Sequence, residues 1–185
     1  NIYNYYKNIY MGELHIVIGP MFSGKTKFII NKYHEINDDT AIVINHDYDN
    51  RYDESKQFLV SHDKLKIPCR FMKNLREIYD NDDFVNAKYI FINEAQFFED
   101  LIKMVTIFVY KYGMIVFVSG LDGDFKQKKI GNILDLIPHC DTVVKLKGVC
   151  RCGKESIFSK RLSNEKEQIS IGNDNYTTVC RNCYS

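Results

Sequence analysis

The segment 19–26 matches G-x-x-x-x-G-K-[ST], the spacing of a loop that wraps around phosphate groups. Its glycines let successive backbone N–H groups turn inward toward an anion. We expect Lys25 to bring a mobile positive charge to the outer phosphates and the Thr26 hydroxyl to ligate Mg²⁺. A chance match is the alternative, and the predicted strand before the loop and helix after it argue against it. The predicted phosphate-binding residues are Gly19, Pro20, Met21, Phe22, Ser23, Gly24, Lys25 and Thr26.

One carboxylate stands at the end of another predicted strand. The apolar run 89–92 is followed by Asn93 and Glu94. Parallel strands place their carboxyl ends at one edge of a sheet, beside a phosphate loop that follows a neighbouring strand. We therefore predict Glu94 as a general base or water-positioning residue. A surface glutamate that caps the next helix is the alternative.

Four of the six cysteines lie in two close pairs near the end of the sequence. Cys180 and Cys183 have a spacing typical of zinc ligands, whereas Cys150 and Cys152 are one residue closer together. Four thiolates would satisfy tetrahedral zinc and stabilise a lobe that has little core of its own. Four reduced surface thiols, or a site with three ligands, remain the alternatives.

The elements that must position these residues follow an alternating pattern. Apolar runs typical of buried parallel strands occur at 14–18, 41–44, 89–92, 114–118 and 142–146. Residues at helical spacing lie between them, as at Phe28, Ile29, Tyr33 and Ile36, and at Leu101, Met104, Val105, Phe108 and Tyr112 before Gly113. The pattern predicts an α/β fold with a central parallel sheet. The stretch 47–72 predicts mainly loop, with a strand near Lys66.

A change in character near residue 148 suggests a division of the chain. Beyond it the sequence has cysteine pairs and charged turns but no long apolar run. We predict an N-terminal extension at 1–11, a main α/β domain at 12–147, and a small zinc-binding lobe at 148–185.

Composition narrows the function. Twenty-five Lys and Arg balance twenty-four Asp and Glu, whereas a general nucleic-acid binder usually carries a basic excess. No apolar run approaches the roughly 20 residues that span a bilayer, and the first residues do not resemble a secretory signal. We expect a cytoplasmic protein with reduced cysteines and with neither nucleic acid nor membrane as a partner.

Five motifs in order resemble the type II thymidine kinases, the cellular and large-DNA-virus enzymes with a RecA-like core. They lie at 19–26, 93–98, 121–125, 160–162 and 179–184. The resemblance runs over nearly the whole chain, from about Gly12 to Tyr184. It implies transfer of the γ-phosphate of ATP to the 5′-hydroxyl of thymidine, with deoxyuridine as a further substrate, in nucleotide salvage for DNA synthesis.

The resemblance also implies roles for single residues around the phosphates. Glu94 matches the residue that takes the proton from the 5′-hydroxyl, and Lys25 matches the phosphate-binding lysine. Asp63 matches an acidic partner near Mg²⁺. Lys64 stands where the family has a catalytic Arg and would supply that positive charge, although Lys cannot make the bidentate contact of Arg. Asn93 replaces a family Asp. It keeps an oxygen acceptor but loses a charge, so we expect weaker Mg²⁺ affinity and not loss of activity.

For the nucleoside, the resemblance implies an apolar slot closed by a loop. The loop runs from Lys160 to Tyr176, and Ser159 stands where some relatives have Thr near the base methyl. The implied nucleoside-binding residues are Met21, Phe97, Leu121, Phe125, Ser159, Ile169, Ser170, Ile171, Gly172 and Tyr176. The family further implies a structural zinc ion, a homotetramer and feedback inhibition by dTTP.

Two other functions stay open at the level of sequence. One is a P-loop ATPase of another kind, against which the small size and neutral charge count. The other is a nucleotide-binding relative that Asn93 has weakened as a catalyst. Retention of Glu94 and Lys25 favours the enzyme over this weakened relative.

Overall fold

A six-stranded parallel sheet forms the centre of the fold in the computed structural model, which describes residues 11–49, 57–163, 167–168 and 175–185. Its strands are β1 (Glu13–Gly19), β2 (Ile42–His46), β5 (Arg70–Met72), β6 (Tyr89–Ile92), β7 (Ile115–Leu121) and β8 (Thr142–Lys145). Their order across the sheet is β5-β2-β6-β7-β1-β8, and every pair runs parallel. The predicted α/β class with a central parallel sheet is confirmed, and all five predicted strands are present.

Helices and tight turns connect these strands. Helix α1 (Lys25–Ile36) follows β1, and α2 (Leu101–Thr106) continues as a π-helical turn at Ile107–Lys111. Gly113, with φ of 65°, ends this second helix in the left-handed conformation expected of a glycine stop. Short 3₁₀ segments lie at Leu75–Asp80, Asp82–Asn86, Ala95–Phe97 and Ile133–His139.

The stretch predicted to be mainly loop contains more order than its sequence suggested. The strand near Lys66 is confirmed as β4 (Lys66–Pro68), which pairs antiparallel with β3 (Phe58–Val60). β5 was not predicted, and it pairs with β2 at the edge of the main sheet. A strand of three residues with a polar first position is too short to show an alternating pattern.

Two apolar clusters cover the two faces of the sheet. On one face, Val43, Phe91 and Phe117 pack against Ile29 and Ile30 of α1. On the other face, the neighbouring residues of the same strands, such as Ile44, Ile92 and Val118, pack against α2 and the 3₁₀ segments. Alternate side chains of one strand point to opposite faces, so both layers hold the strands in register. β8 differs, because all four of its residues are exposed at the sheet edge.

The C-terminal segment forms a separate small cluster. It contains β9 (Gly148–Val149), β10 (Glu155–Ser156), β11 (Phe158–Arg161), β12 (Tyr176–Val179) and α3 (Arg181–Tyr184). Its apolar centre contains Cys150, Val179 and Cys180, with Phe158 and Tyr184 packed against them. The division of the chain at 147/148 stays a prediction, which this separate cluster supports. Among the described residues, no helix has the length and apolar character needed to cross a membrane.

Candidate active site

The phosphate loop connects β1 to α1, and two of its positions require glycine for different reasons. A Cβ atom at Gly19 would lie 2.6 Å from the Leu146 carbonyl oxygen, so close approach requires glycine there. Gly24 has open space but a φ of 87°, so its backbone conformation favours glycine. Phe22 also has a positive φ, of 58°. The loop therefore turns sharply and delivers the N-terminal end of α1, which attracts anions.

Polar atoms inside this loop suit a phosphate group. The Lys25 side chain is only 8% exposed, and its Nζ donates to the Pro20 carbonyl oxygen at 2.7 Å. The buried Ser23 hydroxyl has no hydrogen-bond partner among the described residues. Buried polar groups are normally satisfied, so an orphan hydroxyl beside a lysine in this loop fits a bound phosphate.

One cavity of about 490 Å³ joins the phosphate loop to an apolar pocket. Its walls contain Lys25 and Thr26 at one end and Phe97 and Phe125 at the other, with Glu94 also on the wall. The carboxyl ends of β1, β2, β6 and β7 border it, as expected for an open parallel sheet. The structure thus brings together residues that are far apart in sequence.

Glu94 follows β6 in an unusual backbone conformation. Its φ of 51° is left-handed, which is uncommon for a residue with a side chain. Gln96 donates a side-chain hydrogen bond to the Glu94 carboxylate, and Ala95–Phe97 continue as a single 3₁₀ turn. Such conformations persist where the surroundings over-determine them, and they cluster at functional sites.

Three further carboxylates line the cavity, those of Asp49, Asp63 and Asp124. Asp63 forms an ion pair with Lys27, with Nζ to Oδ2 at 2.5 Å, and this hydrogen bond and charge hold the pKa of Asp63 below its usual value. Asp49 follows β2 and was not identified from sequence. An aspartate just beyond a buried strand, at the edge that carries the phosphate loop, was the available signal.

Lys64 lies beside the cavity without lining it. It stands in the turn after Asp63 with a φ of 62°, and its side chain is exposed. Its predicted catalytic role therefore stays a prediction.

Asn93 is buried behind the cavity wall. It is 2% exposed, its Oδ1 accepts the Ser119 hydroxyl at 2.8 Å, and its Nδ2 donates to Asn45 Oδ1 at 3.1 Å. Both ends of the carboxamide are therefore held by protein. The predicted magnesium role of Asn93 stays a prediction.

The apolar pocket contains the residues that resemblance assigned to the base. Met21, Phe97, Leu121 and Phe125 all line it. Ser159 is 4% exposed, and its hydroxyl accepts a hydrogen bond from the Met21 backbone N–H at 2.9 Å. Tyr176 also lines the cavity. The predicted contacts Ile169, Ser170, Ile171 and Gly172 lie outside the described residues.

Two polar residues that were not identified from sequence connect this pocket to its surroundings. Arg161 is 8% exposed and stacks over Phe125, with its guanidinium carbon 4.0 Å from the ring centroid. Gln168 donates from Nε2 to Asp124 Oδ2 at 2.9 Å and to the Lys129 carbonyl oxygen at 3.2 Å. Both contacts join positions about forty residues apart, so no local pattern could have revealed them.

The four predicted zinc ligands meet in one cluster. The sulfur atoms of Cys150, Cys152, Cys180 and Cys183 all lie within 4.8 Å of one another. A tetrahedral site with Zn–S bonds of about 2.3 Å would separate its sulfurs by about 3.8 Å, and Cys152 and Cys180 are 3.6 Å apart. The tight spacing of the first pair is therefore compatible with four ligands.

The thiols of this cluster differ in acidity. Backbone N–H groups of Cys152 and Cys180 lower the pKa of Cys150 to about 6. Hydrogen bonds to the sulfurs of Cys152, Cys180 and Cys150 raise the pKa of Cys183 to about 12. A cluster that stabilises at least one thiolate is prepared for a cation, because thiolates are the metal-binding form.

Comparison with known proteins points in one direction. The family model described as "Thymidine kinase" matches residues 12–184. The thymidine kinase of Yaba monkey tumor virus (strain VR587) is 41% identical over 177 residues, with 94% of each chain covered. That of Vaccinia virus (strain Ankara) is 39% identical over 177 residues, covering 94% of this chain and 97% of the relative. The thymidine kinase of Oryza sativa subsp. japonica is 38% identical over 184 residues, which cover 95% of this chain and 67% of the relative.

Proposed function

The chain belongs to the thymidine kinase family, and from this premise we propose that it is an ATP-dependent thymidine kinase that transfers the γ-phosphate of ATP to the 5′-hydroxyl of thymidine. One observation carries the proposal: a single cavity joins the phosphate loop, the Glu94 carboxylate and an apolar pocket. Deoxyuridine, which lacks only the 5-methyl group, belongs to the same substrate class.

The phosphate end of the cavity supplies charge and position. Lys25 and the backbone N–H groups of 19–26 hold the phosphates, and the Ser23 hydroxyl gains an acceptor. When bound, Mg²⁺ neutralises charge on the phosphate oxygens. Thr26 and Asp63 are our proposed contacts for it, since both line the cavity. Asp49 adds a further carboxylate to the same wall.

Glu94 acts as the general base. It lines the same cavity as the phosphate loop and the apolar pocket, in which a 5′-hydroxyl must approach the phosphates. Phosphoryl transfer depends mainly on positioning and charge, so a fixed carboxylate that orients and deprotonates the alcohol is sufficient. The hydrogen bond from Gln96 keeps this carboxylate in place.

The apolar end holds the base. Phe97 and Phe125 provide aromatic faces, and the Ser159 hydroxyl ties the pocket to the phosphate loop at Met21. Ser in place of Thr removes one methyl group, which weakens the hold on a 5-methyl base by a fraction of about 0.8 kcal/mol.

A structural zinc ion belongs to the proposal. Four thiolates would hold it, those of Cys150, Cys152, Cys180 and Cys183. In the sequence, the nucleoside loop lies between the two cysteine pairs. Because this lobe buries few apolar side chains, metal binding would contribute much of its folding energy.

Inhibition by dTTP follows from the continuity of the cavity. A thymine base in the apolar pocket and a triphosphate at the loop would occupy both ends at once. We therefore propose that dTTP competes with both substrates.

Assembly into a homotetramer is the remaining proposal. Among the described strands β8 lies at the sheet edge with Val143 and Val144 exposed, and such edges are usually paired or covered. Light scattering of the purified protein would measure the number of copies.

A direct assay tests the function. Full-length protein with ATP, Mg²⁺ and thymidine should form dTMP, detected by chromatography. ATP hydrolysis without dTMP would indicate a P-loop ATPase of another kind, and nucleotide binding without turnover would indicate a weakened relative. No observation on this chain favours either.

A further inference from the structure

A buried chain of hydrogen bonds leads from the interior of the sheet to the cavity wall. The Ser119 hydroxyl donates to Asn93 Oδ1 at 2.8 Å, and Asn93 Nδ2 donates to Asn45 Oδ1 at 3.1 Å. Asn45 Nδ2 then donates to Asp49 Oδ2 at 2.9 Å. The chain therefore ends on a carboxylate that lines the cavity.

Neighbouring strands supply the three inner members. Asn45 lies in β2, Asn93 directly follows β6, and Ser119 lies in β7, and these strands are adjacent in the sheet. Their exposed fractions are 1%, 2% and 0%. Buried amides and hydroxyls are retained only when they are paired, so these side chains have little freedom to reorient.

The Asp49 carboxylate determines which group donates and which accepts in each of these hydrogen bonds. A carboxylate accepts hydrogen bonds but donates none, so Asn45 must turn its Nδ2 toward Asp49. Its Oδ1 then faces Asn93, which must present Nδ2 in turn. The Asn93 oxygen is left for Ser119. Each amide thus has one orientation that satisfies the whole chain.

We propose that Asn45 and Asn93 are positioning residues that hold the Asp49 carboxylate toward the Mg²⁺-ATP end of the cavity. Asn93 acts through Asn45 and Asp49 and does not touch the metal. The inference rests on the proposed function, since it assigns Asp49 a task only in a cavity that binds Mg²⁺-ATP.

A double-mutant cycle on the full-length chain tests the coupling. Asn45→Ala should weaken Mg²⁺-ATP binding about tenfold in the wild-type background but less than about threefold in an Asp49→Ala background. Calorimetry with Mg²⁺-ATP gives the dissociation constants without requiring turnover. Equal effects in both backgrounds would overturn the inference, because Asn45 would then act independently of Asp49.

Asn93→Asp separates the two roles considered for residue 93. It replaces the donor that faces Asn45 with an acceptor, so Asn45 must turn its oxygen toward Asp49. We expect Mg²⁺-ATP binding to weaken severalfold. Unchanged or tighter binding would contradict the positioning role, since a direct metal contact would gain from the added charge.

Two further variants distinguish a loss of positioning from a loss of folding, and an activity assay separates this inference from the proposed function. Asn81→Ala removes an amide that bonds backbone carbonyls at Glu77 and Ile78, away from the cavity, and should leave Mg²⁺-ATP binding unchanged. If Asn45→Ala does not fold, Asn45→Ser keeps a polar group for Asn93 but is too short for Asp49, and the same coupling is expected. Coupling in Mg²⁺-ATP binding without thymidine phosphorylation would refute the proposed function alone.

Discussion

Glu94 and Leu121 are joined through one side chain, that of Gln96. The Gln96 amide donates to the Glu94 carboxylate, and its Oε1 accepts the Leu121 backbone N–H at 3.0 Å. Both residues line the cavity, Glu94 as the proposed general base and Leu121 as a proposed contact of the nucleoside. The proposed base and the pocket that holds the nucleoside are therefore fixed relative to each other.

Glu94→Gln should abolish most of the turnover while leaving binding intact. The amide keeps the size of the side chain but cannot accept a proton, so we expect kcat to fall by about 10² to 10⁴. Steady-state kinetics with thymidine and ATP would measure kcat, and calorimetry would follow binding. A variant that retained wild-type kcat would show that another group deprotonates the 5′-hydroxyl.

Gln168→Met should raise the KM for thymidine about fivefold to tenfold and leave the KM for ATP unchanged. Methionine has a similar length but cannot donate to Asp124 or to the Lys129 carbonyl oxygen, so the nucleoside loop loses these two contacts with the pocket and keeps the backbone contacts with Arg161. Gln168→Glu should raise the KM further, because it sets two carboxylates against each other. Equal effects on both substrates would argue for general unfolding and not for a local attachment.

Cys152→Ser should remove zinc and weaken thymidine binding more than ATP binding. Cys152 is exposed and lies outside the small apolar centre, so its substitution disturbs that centre little. Metal analysis should show about one zinc ion per wild-type chain and much less in the variant. Cys140→Ser, outside the cluster, should retain the metal. A metal-free wild-type protein would exclude the zinc site.

Acid should weaken the fold through His46. Burial lowers the pKa of this ring, which accepts the Tyr48 backbone N–H at 3.1 Å and packs against Phe97 and Phe98. The folded pKa lies below the unfolded value of about 6.5, so the unfolded state binds the proton first as the pH falls. The free energy of unfolding should therefore decline below about pH 6.5.

Urea denaturation at several pH values would measure this decline. In His46→Phe the slope with pH should be smaller, even though the variant loses the acceptor for Tyr48 and is less stable throughout. His34→Gln, which changes an exposed ring at the end of α1, should keep the wild-type slope. An unchanged slope in His46→Phe would assign the acid sensitivity to other groups.

Features that depend on a few neighbouring residues could be predicted from the sequence. The phosphate loop, Glu94 and the inner strands follow from spacing and apolar periodicity, because each is specified within a few neighbouring residues. Asp49 was missed because it lies in an irregular stretch after β2, and only the sheet order brings that stretch to the phosphate loop. Gln168 was missed because its partners are distant in sequence. Asn45 was missed because its contact with Asn93 joins two strands 48 residues apart, and no periodicity marks it.

Asn93 shows the limit of argument by residue type. Its position after β6 predicts a role near Mg²⁺, which stays a prediction, but residue type did not indicate that Ser119 and Asn45 hold its side chain. Position in a motif fixes where the backbone lies. The direction of the side chain depends on neighbours contributed by two other strands.

Because Met21 and Ser159 are in contact, the main domain and the C-terminal lobe cannot be separated without loss of a contact at the phosphate loop. A cut between residues 147 and 148 would separate two segments that look independent in sequence, yet the phosphate loop would lose the hydroxyl that binds one of its amides. Separately produced halves should therefore bind ATP poorly until recombined. Exchange of one half with that of a distant relative would likewise require both sides of this contact to be matched.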